Sequence, residues 1–180
     1  MPRTLTAARR LDLDSPYSGD VELVFLTATH AQLANAIRVV NDAALPKGQP
    51  IEYQRGSYNW LGLPFNIILP TDTDQGPPRA RIEIPNVDRK VGELFALIDD
   101  SPRITLEVIV ASQFTRLNPP NEHVWYAAAP SVDYTADWLR LANVQVDAMM
   151  CAAEFVGPDL TTEPWPDLRA TKGRLPGLYR

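Results

Sequence analysis

Alternation of apolar and polar residues with a period of two recurs along the chain and predicts a mainly β protein. Residues 21–27 (VELVFLT) carry apolar side chains at both parities, which predicts a strand covered at least in part on both faces. Residues 80–84 (ARIEI) alternate cleanly, and residues 104–110 (ITLEVIV) give the strongest strand pattern. Further strands are predicted at 37–40, 51–54, 61–69, 124–128 and 139–148, and the apolar character continues through 149–156.

The alternation slips once, late in the chain. Leu139 and Leu141 share one parity, whereas Val144 and Val146 share the other. A slip of one residue moves every later side chain to the opposite face of a sheet. The pattern therefore predicts a bulge near residues 142–143, or two strands joined there by a bend.

Three segments depart from the strand pattern. Between residues 88 and 99 apolar residues recur at intervals of three and four, which predicts one amphipathic helix. The N-terminal segment, 1–19, contains a short predicted helix, and 158–180 has no periodicity and is expected to be an irregular C-terminal tail. The sequence thus predicts one β-rich domain over residues 20–157, a sandwich or small barrel with one helix packed on it.

Composition agrees with a single folded domain and opposes binding to polyanions. Hydrophobic residues make up 45% of the 180 residues and charged residues 22%, as in ordinary globular proteins. The 17 prolines cluster near the ends of predicted strands, which favours many short strands. The net charge of −5 opposes sequence-independent binding to nucleic acid, because such binding needs a surplus of Lys and Arg.

The single cysteine, Cys151, cannot form an internal disulfide and is typical of a protein kept in a reducing cytoplasm. The first residues lack the apolar core of a signal peptide, so export by that route is not expected. No apolar run approaches the roughly 20 residues that span a bilayer, so no membrane span is expected.

The residues needed for common catalytic or metal sites are few and scattered. His30 and His123 are the only histidines, and neither lies in a nucleophile elbow or cysteine-protease motif. Zinc needs three or four Cys or His ligands. A calcium loop that starts at Asp72 and Asp74 would have Pro77 in place of its glycine, and Glu83 at its last position is the outward residue of a predicted strand. The sequence therefore predicts no catalytic, cofactor-binding or metal-binding residues and a protein that is not an enzyme.

The four tryptophans divide between core and surface candidates. Trp125 and Trp138 lie on or beside predicted strands, which favours the core. Trp165 lies in the predicted irregular tail, where an aromatic side chain needs a surface on which to pack. Trp165 is therefore a candidate interface residue.

Several short motifs occur together, in order, along most of the chain. They are residues 37–42 (IRVVND), 63–67 (LPFNI) with 69–70 (LP), 77–81 (PPRAR) with Ile84, 86–89 (NVDR), 163–166 (EPWP) and 175–179 (LPGLY). In this combination the chain resembles a family of tailed-bacteriophage tail-tip proteins of formerly unknown function, which are similar to distal tail proteins and minor tail proteins. Residues 44–60 and 118–121 depart from the family's pattern.

The resemblance implies a structural role in the virion. It implies a homo-oligomeric ring at the tail tip, a hexamer or alternatively a trimer, that contacts the tail tube, the tape measure and the hub. It implies assembly in the host cytoplasm, no cofactor and no required contact with nucleic acid. The predicted subunit contact comprises Pro164, Trp165, Pro166, Leu175, Leu178 and Tyr179. The alternatives are a ligand-binding or carbohydrate-binding β-domain for host attachment and, in second place, a cell-wall hydrolase.

Overall fold

The computed structural model describes residues 10–11, 14, 20–42, 50–70, 77–85, 101–119, 121–147 and 149–157. Within these residues the chain forms eleven strands and one short 3-10 turn, Ala111–Gln113. The strands are β1 (Glu22–Thr29), β2 (Ile37–Val40), β3 (Glu52–Arg55), β4 (Tyr58–Gly62), β5 (Asn66–Ile68), β6 (Arg79–Pro85), β7 (Arg103–Val110), β8 (Thr115–Arg116), β9 (Val124–Ala127), β10 (Tyr134–Val146) and β11 (Met150–Val156).

All eleven strands belong to one mixed sheet, which confirms the predicted mainly β class. The order across the sheet is β5-β6-β11-β10-β7-β1-β2-β4-β3-β9-β8. Only the β2–β4 and β3–β9 pairs are parallel. The sheet is not closed into a barrel, so the small-barrel alternative is wrong. Closure fails because the order ends at two short edge strands, β5 and β8, which do not pair with each other.

Strand β1 is buried on both of its faces, as its sequence predicted. Val24, Leu26 and Ala28 belong to a first core with strands β6, β7, β10 and β11. Leu23 and Phe25 belong to a second core with strands β2, β3, β4 and β9. Because side chains alternate along a strand, the two cores lie on opposite faces of β1. The sheet therefore curls in opposite directions on the two sides of this strand.

The second core is rich in aromatic side chains that surround Phe25. Its ring centroid lies 5.8 Å from Tyr53, 5.7 Å from Trp60 and 5.6 Å from Phe114. The first two contacts are edge-to-face, a favoured geometry for aromatic pairs. The Trp60 indole N–H also donates to Thr27 Oγ1 at 3.3 Å. These contacts hold β3 and β4 over β1.

The first core follows the period-two pattern of the sequence. Ala80, Ile82 and Ile84 point into it from β6, while Arg79 and Arg81 are exposed, as the alternation predicted. Strand β7 contributes its even-numbered apolar residues in the same way. These strands and β1 form where and how the sequence predicted, to within two residues at each end.

One predicted strand is wrong. Residues 61–69 were expected to form a single strand, but the structure has β4 ending at Gly62 and β5 beginning at Asn66. Pro64 lies in the break and has no N–H to donate to a ladder. The Leu63 N–H donates to the Val40 carbonyl at 2.9 Å, which turns the chain away from β4. As a result β4 lies inside the sheet and β5 lies at its edge.

The predicted irregularity in β10 is confirmed. The register between β10 and β11 shifts between Ala142 and Gln145, and Asn143 has a φ of 49°. After the bulge, Val144 and Val146 are exposed, whereas Leu139 is fully buried before it. A second register shift, between Ala136 and Leu139 against β7, had no signal in the alternation.

Three predicted features lie outside the described residues. They are the helix at 88–99, the irregular tail at 158–180 and, apart from residues 10, 11 and 14, the helix in the N-terminal segment. The two-residue strand β8, which pairs with β9, comes just before residues 118–121, which depart from the family's pattern.

Phe25→Ala is expected to lower the free energy of unfolding by about 3–5 kcal/mol, because a fully buried ring with three aromatic neighbours is removed and leaves a cavity. Urea denaturation followed by tryptophan fluorescence measures this loss. Val21→Ala, at an exposed position beside the same strand, is the control and should cost less than about 0.5 kcal/mol. Equal effects of the two substitutions would contradict the proposed role of β1.

Candidate functional site

His30 follows β1 and lines an open groove at the end of the first core. Its Nδ1 accepts the Gln32 N–H at 3.1 Å, so in the neutral ring the proton is on Nε2. A Ser-His-Asp arrangement needs the opposite tautomer, in which Nδ1–H donates to the acid and Nε2 accepts from serine. The nearby Ser101 hydroxyl also lines the groove and donates to the Leu141 carbonyl. The pair is therefore held in hydrogen bonds that do not prepare a nucleophile.

Cys151 lies at the start of β11 with its side chain in an apolar cavity of about 70 Å³. The thiol is free and buried. Burial raises its pKa, and the negative charge of Asp147 raises it further. Because the thiolate is the reactive form, this thiol is a poor nucleophile.

His123 and the metal candidates do not form a site among the described residues. His123 is half-buried in the turn before β9, and its carbonyl accepts the Glu52 N–H at 2.9 Å. Within the described ranges, no group of three His, Cys, Asp or Glu residues is arranged to hold a metal ion. Asp72 and Asp74 lie outside those ranges.

The strongest charged contact is structural and joins the two ends of the second core. Arg55 Nη1 of β3 lies 2.6 Å from Glu107 Oε2 of β7, and both side chains are largely buried. The Arg55 guanidinium also lies 4.9 Å from the Trp60 ring centroid. A short, largely buried ion pair of this kind, with an aromatic neighbour, holds β3 and β7 in their relative positions and is not a ligand-binding site.

Tyr53 makes a second polar contact at the same core. Its hydroxyl donates to Asp42 Oδ2 at 2.6 Å. Burial first, and then the bond to Asp42, raise the pKa of this phenol above its usual range. Tyr53 therefore stays protonated and serves as a donor, not as a base.

The groove has a floor built from four neighbouring strands. Thr29 of β1 is directly opposite Arg103 of β7, Arg103 is opposite Arg140 of β10, and Arg140 is opposite Val156 of β11. These residues form one row across the sheet, and the groove above them has a volume of about 1010 Å³. Its other lining residues are His30, Ala31, Ser101, Trp138, Leu139 and Gly157.

The charge of the groove is positive. No carboxylate is among its described lining residues, whereas two arginines are. Arg103 Nε donates to the Asp137 carbonyl at 2.8 Å, and its Nη2 lies 3.9 Å from the Asp137 carboxylate. Both of these side chains are more than half exposed, so that ion pair is weak. Arg140 forms no ion pair with any described residue.

Trp138 forms one wall of the groove and is held in place by Gly157. A Cβ atom at Gly157 would lie 2.1 Å from Trp138 Cζ3, so only glycine lets the backbone approach the indole this closely. The Gly157 N–H donates to the Pro78 carbonyl at 2.9 Å. Trp138 was predicted to be core; it is half-buried, packs on the first core and also lines the groove.

The tip of the β10–β11 hairpin exposes apolar side chains. We call Val144, Val146, Met149 and Met150 the hairpin tip; their exposed fractions are 39%, 50%, 81% and 43%. Asp147 Oδ1 accepts the N–H groups of Met150 at 2.6 Å and Met149 at 2.7 Å and so closes the turn. These bonds, the one from Met150 first, lower the pKa of the Asp147 carboxyl below its usual range.

The groove was not predicted from the sequence, and the predicted subunit contact lies beyond the described residues. The groove residues come from four separate parts of the chain, and only strand register brings them together. The predicted contact residues, Pro164, Trp165, Pro166, Leu175, Leu178 and Tyr179, lie outside the described residues. The half-buried Trp125 packs against the second core, close to its predicted position.

Comparison with known proteins does not assign the chain to a family. No protein-family model matches it, and no curated protein is similar to it at a significant level. Among the described residues, no helix has the length and apolar character needed to cross a lipid bilayer.

In the native protein, Cys151 is expected to react with a thiol reagent at pH 8 at least about 100-fold more slowly than in urea, because the thiol is buried and its pKa is raised. Ellman's reagent measures both rates. A Cys151→Ala chain with Ala31→Cys, at an exposed groove position, is the control and should react at the same rate in both states. Rapid reaction of native Cys151 would contradict its burial.

The hairpin turn is expected to loosen in acid, at a pH below the usual aspartate range of about 3.9. Since the folded-state pKa of Asp147 is lowered, its contribution is present above the unfolded pKa and is lost as pH falls through the folded pKa. NMR shifts of the Met149 and Met150 amides should follow this titration. Asp147→Asn, which keeps an acceptor oxygen, should abolish the titration; an unchanged midpoint would point to another group.

Proposed function

We propose that the chain is a structural component of a bacteriophage tail tip, not an enzyme. It forms a ring, as a hexamer or alternatively a trimer, that links the tail tube to the tip or hub complex. Its partners are further copies of itself, the tail tube, the tape measure and the hub. Its location is the virion tail tip, after assembly in the host cytoplasm. The proposal rests first on the ordered motifs that resemble tail-tip proteins.

The exposed hairpin tip is the structural observation that supports this proposal most directly. Four apolar side chains project from one turn, and Asp147 holds that turn closed. Several exposed apolar side chains at the end of one hairpin favour a protein contact over a solvated surface. A ring subunit needs such a contact on a rigid element, and a two-stranded hairpin anchored in the sheet provides one.

The open sheet also supports assembly. It ends at β5 and β8, which have only three and two residues. Short edge strands oppose uncontrolled edge-to-edge pairing, as expected of a chain that assembles through chosen contacts. Ile68 on β5 is 65% exposed and adds apolar surface at one edge.

A ligand-binding or carbohydrate-binding β-domain is the second candidate, and the groove favours it. Trp138 beside polar side chains is the kind of surface that stacks on a sugar ring. A cell-wall hydrolase is the third candidate. The tautomer of His30 and the raised pKa of Cys151 favour a structural role over nucleophilic hydrolysis.

Labelling of intact tails with antibody against this chain is expected to place it at the distal tip. Tails are prepared from phage that carry the wild-type gene, Val146→Asp or Gln145→Asp. Val146→Asp puts a charge into the apolar hairpin tip and should lower labelled tips by roughly tenfold, because burying an unpaired charge is costly. Gln145→Asp, exposed on the same hairpin, should leave labelling unchanged.

Two outcomes would reject the proposal. Absence of the chain from denatured wild-type particles would exclude a structural role in the virion. Label along the tail shaft instead of the tip would exclude the ring. Inhibition of infection by a soluble glycan, with the tails otherwise unchanged, would favour the carbohydrate-binding alternative.

A further inference from the structure

The groove contains an unfavourable arrangement of charge that a partner would relieve. Arg103 and Arg140 stand directly opposite each other in the antiparallel β7–β10 pair, and both are exposed. Like charges at directly opposed positions destabilise a sheet. The described lining residues supply no carboxylate, and the nearby Asp137 carboxylate lies 3.9 Å from Arg103, a weak contact between exposed side chains that leaves Arg140 without a described ion pair. An anionic group between the two guanidinium groups would remove this repulsion.

The size and shape of the groove fit an extended peptide. Its volume of about 1010 Å³ is at the upper limit of small-molecule pockets, roughly 300–1,000 Å³, and it is open to solvent. The lining combines cationic side chains with the half-buried indole of Trp138. A partner of matching chemistry carries carboxylates close to an aromatic or proline-rich stretch.

The chain itself contains such a segment. Residues 159–167 (DLTTEPWPD), here called the acidic tail segment, include three carboxylates and no basic residue, with Trp165 between two prolines. Residues 169–180 carry four basic side chains and no acidic one. The negative charge of the tail is thus confined to the part that surrounds its tryptophan.

The prolines bias the acidic tail segment toward an extended conformation. Proline fixes its own φ, and a residue before proline is biased toward extended conformations. Glu163 and Trp165 each precede a proline. A segment biased in this way loses less conformational entropy when it binds in an extended form.

We infer that the groove of one subunit binds the acidic tail segment of a neighbouring copy. Arg103 and Arg140 contact its carboxylates, and Trp138 packs on its Pro-Trp-Pro centre. This inference rests on the proposed function, since the ring places a second copy alongside the first.

The length of the tail is sufficient to reach an adjacent copy. Gly157, the last described residue, lies against Trp138 in the wall of the groove. From Gly157 to Trp165 the chain can extend about 26–29 Å, at roughly 3.3–3.6 Å per residue. This reach is close to the diameter of a small domain, about 30 Å, so the acidic tail segment is long enough to bridge to a neighbour.

Cross-linking between two differently tagged full-length chains tests the inference. Both chains carry Cys151→Ala; one also carries Ala31→Cys in the groove, and the other Glu163→Cys in the acidic tail segment. After mixing with a short bismaleimide, we expect at least about tenfold more linked heterodimer than with the control pair of Ser57→Cys and Glu163→Cys. Ser57 is exposed in the β3–β4 turn, away from the groove.

Charge reversal tests the role of the arginines in the same assay. Arg140 is exposed, so its replacement should leave the fold intact. Arg140→Glu in the groove chain should lower the yield by roughly fivefold, and Asp167→Arg in the tail chain should restore it. Arg140→Lys should retain most of the yield.

Three results of the cross-linking experiments would overturn the inference. No link above the control, or no restoration by Asp167→Arg, excludes the acidic tail segment as the occupant. A chain carrying both Ala31→Cys and Glu163→Cys that links only within itself shows that the groove binds its own tail. If the cross-link does not form but antibody still labels the tail tip, the inferred contact is rejected and the proposed function is not. If the cross-link forms but antibody does not label the tail tip, the proposed ring is rejected and the contact between chains is retained.

Discussion

The burial of β1 on both faces is the constraint on which the rest of the structure depends. A strand with apolar side chains on both of its faces cannot lie at the surface of a single flat layer, so other parts of the sheet must cover each face. The cover comes from opposite ends of the same sheet. In a flat sheet β3 and β7 would be four strands, about 19 Å, apart. Instead Arg55 and Glu107 meet at 2.6 Å, because the second half of the sheet curls over Phe25.

This curling also explains where a binding surface is available. The two cores bury most of the inner faces of the sheet. The surfaces that can bind a partner are therefore its ends, its edges and the hairpin that extends beyond it. The groove forms at one such end, where the last residues of β1 and β11 meet the start of β7 and the middle of β10. Antiparallel pairing places these four chain segments in one row, although they are far apart in sequence. The hairpin tip forms beyond the bulge in β10. There Val146 lies on the same face as Cys151, its directly opposed residue, and is exposed because it is near the end of the hairpin.

The sequence predicted what depends on local alternation and missed what depends on strand pairing. The two buried faces of β1, the inward residues of β6 and the bulge in β10 all follow from side chains within a few positions of one another. Pro64 lies at the break between β4 and β5, but the apolar residues on both sides of it led to the prediction of one continuous strand. The opposition of Arg103 and Arg140 depends on a register that neither strand's own sequence specifies.

The inferred contact has a consequence for the symmetry of the assembly. A groove and a tail segment are different surfaces, so their contact is heterologous, and each subunit uses both. Heterologous contacts close into a ring only if the rotation between neighbours divides a full turn; otherwise they continue as an open filament. In the proposed ring, the order would be decided by the angle between the acidic tail segment and the row formed by Arg103 and Arg140 in the groove that it enters. The hairpin tip, as a second and rigid contact, would fix that angle, which an eight-residue tail alone cannot do. A closed ring therefore needs both surfaces, one to provide attachment and the other to provide curvature.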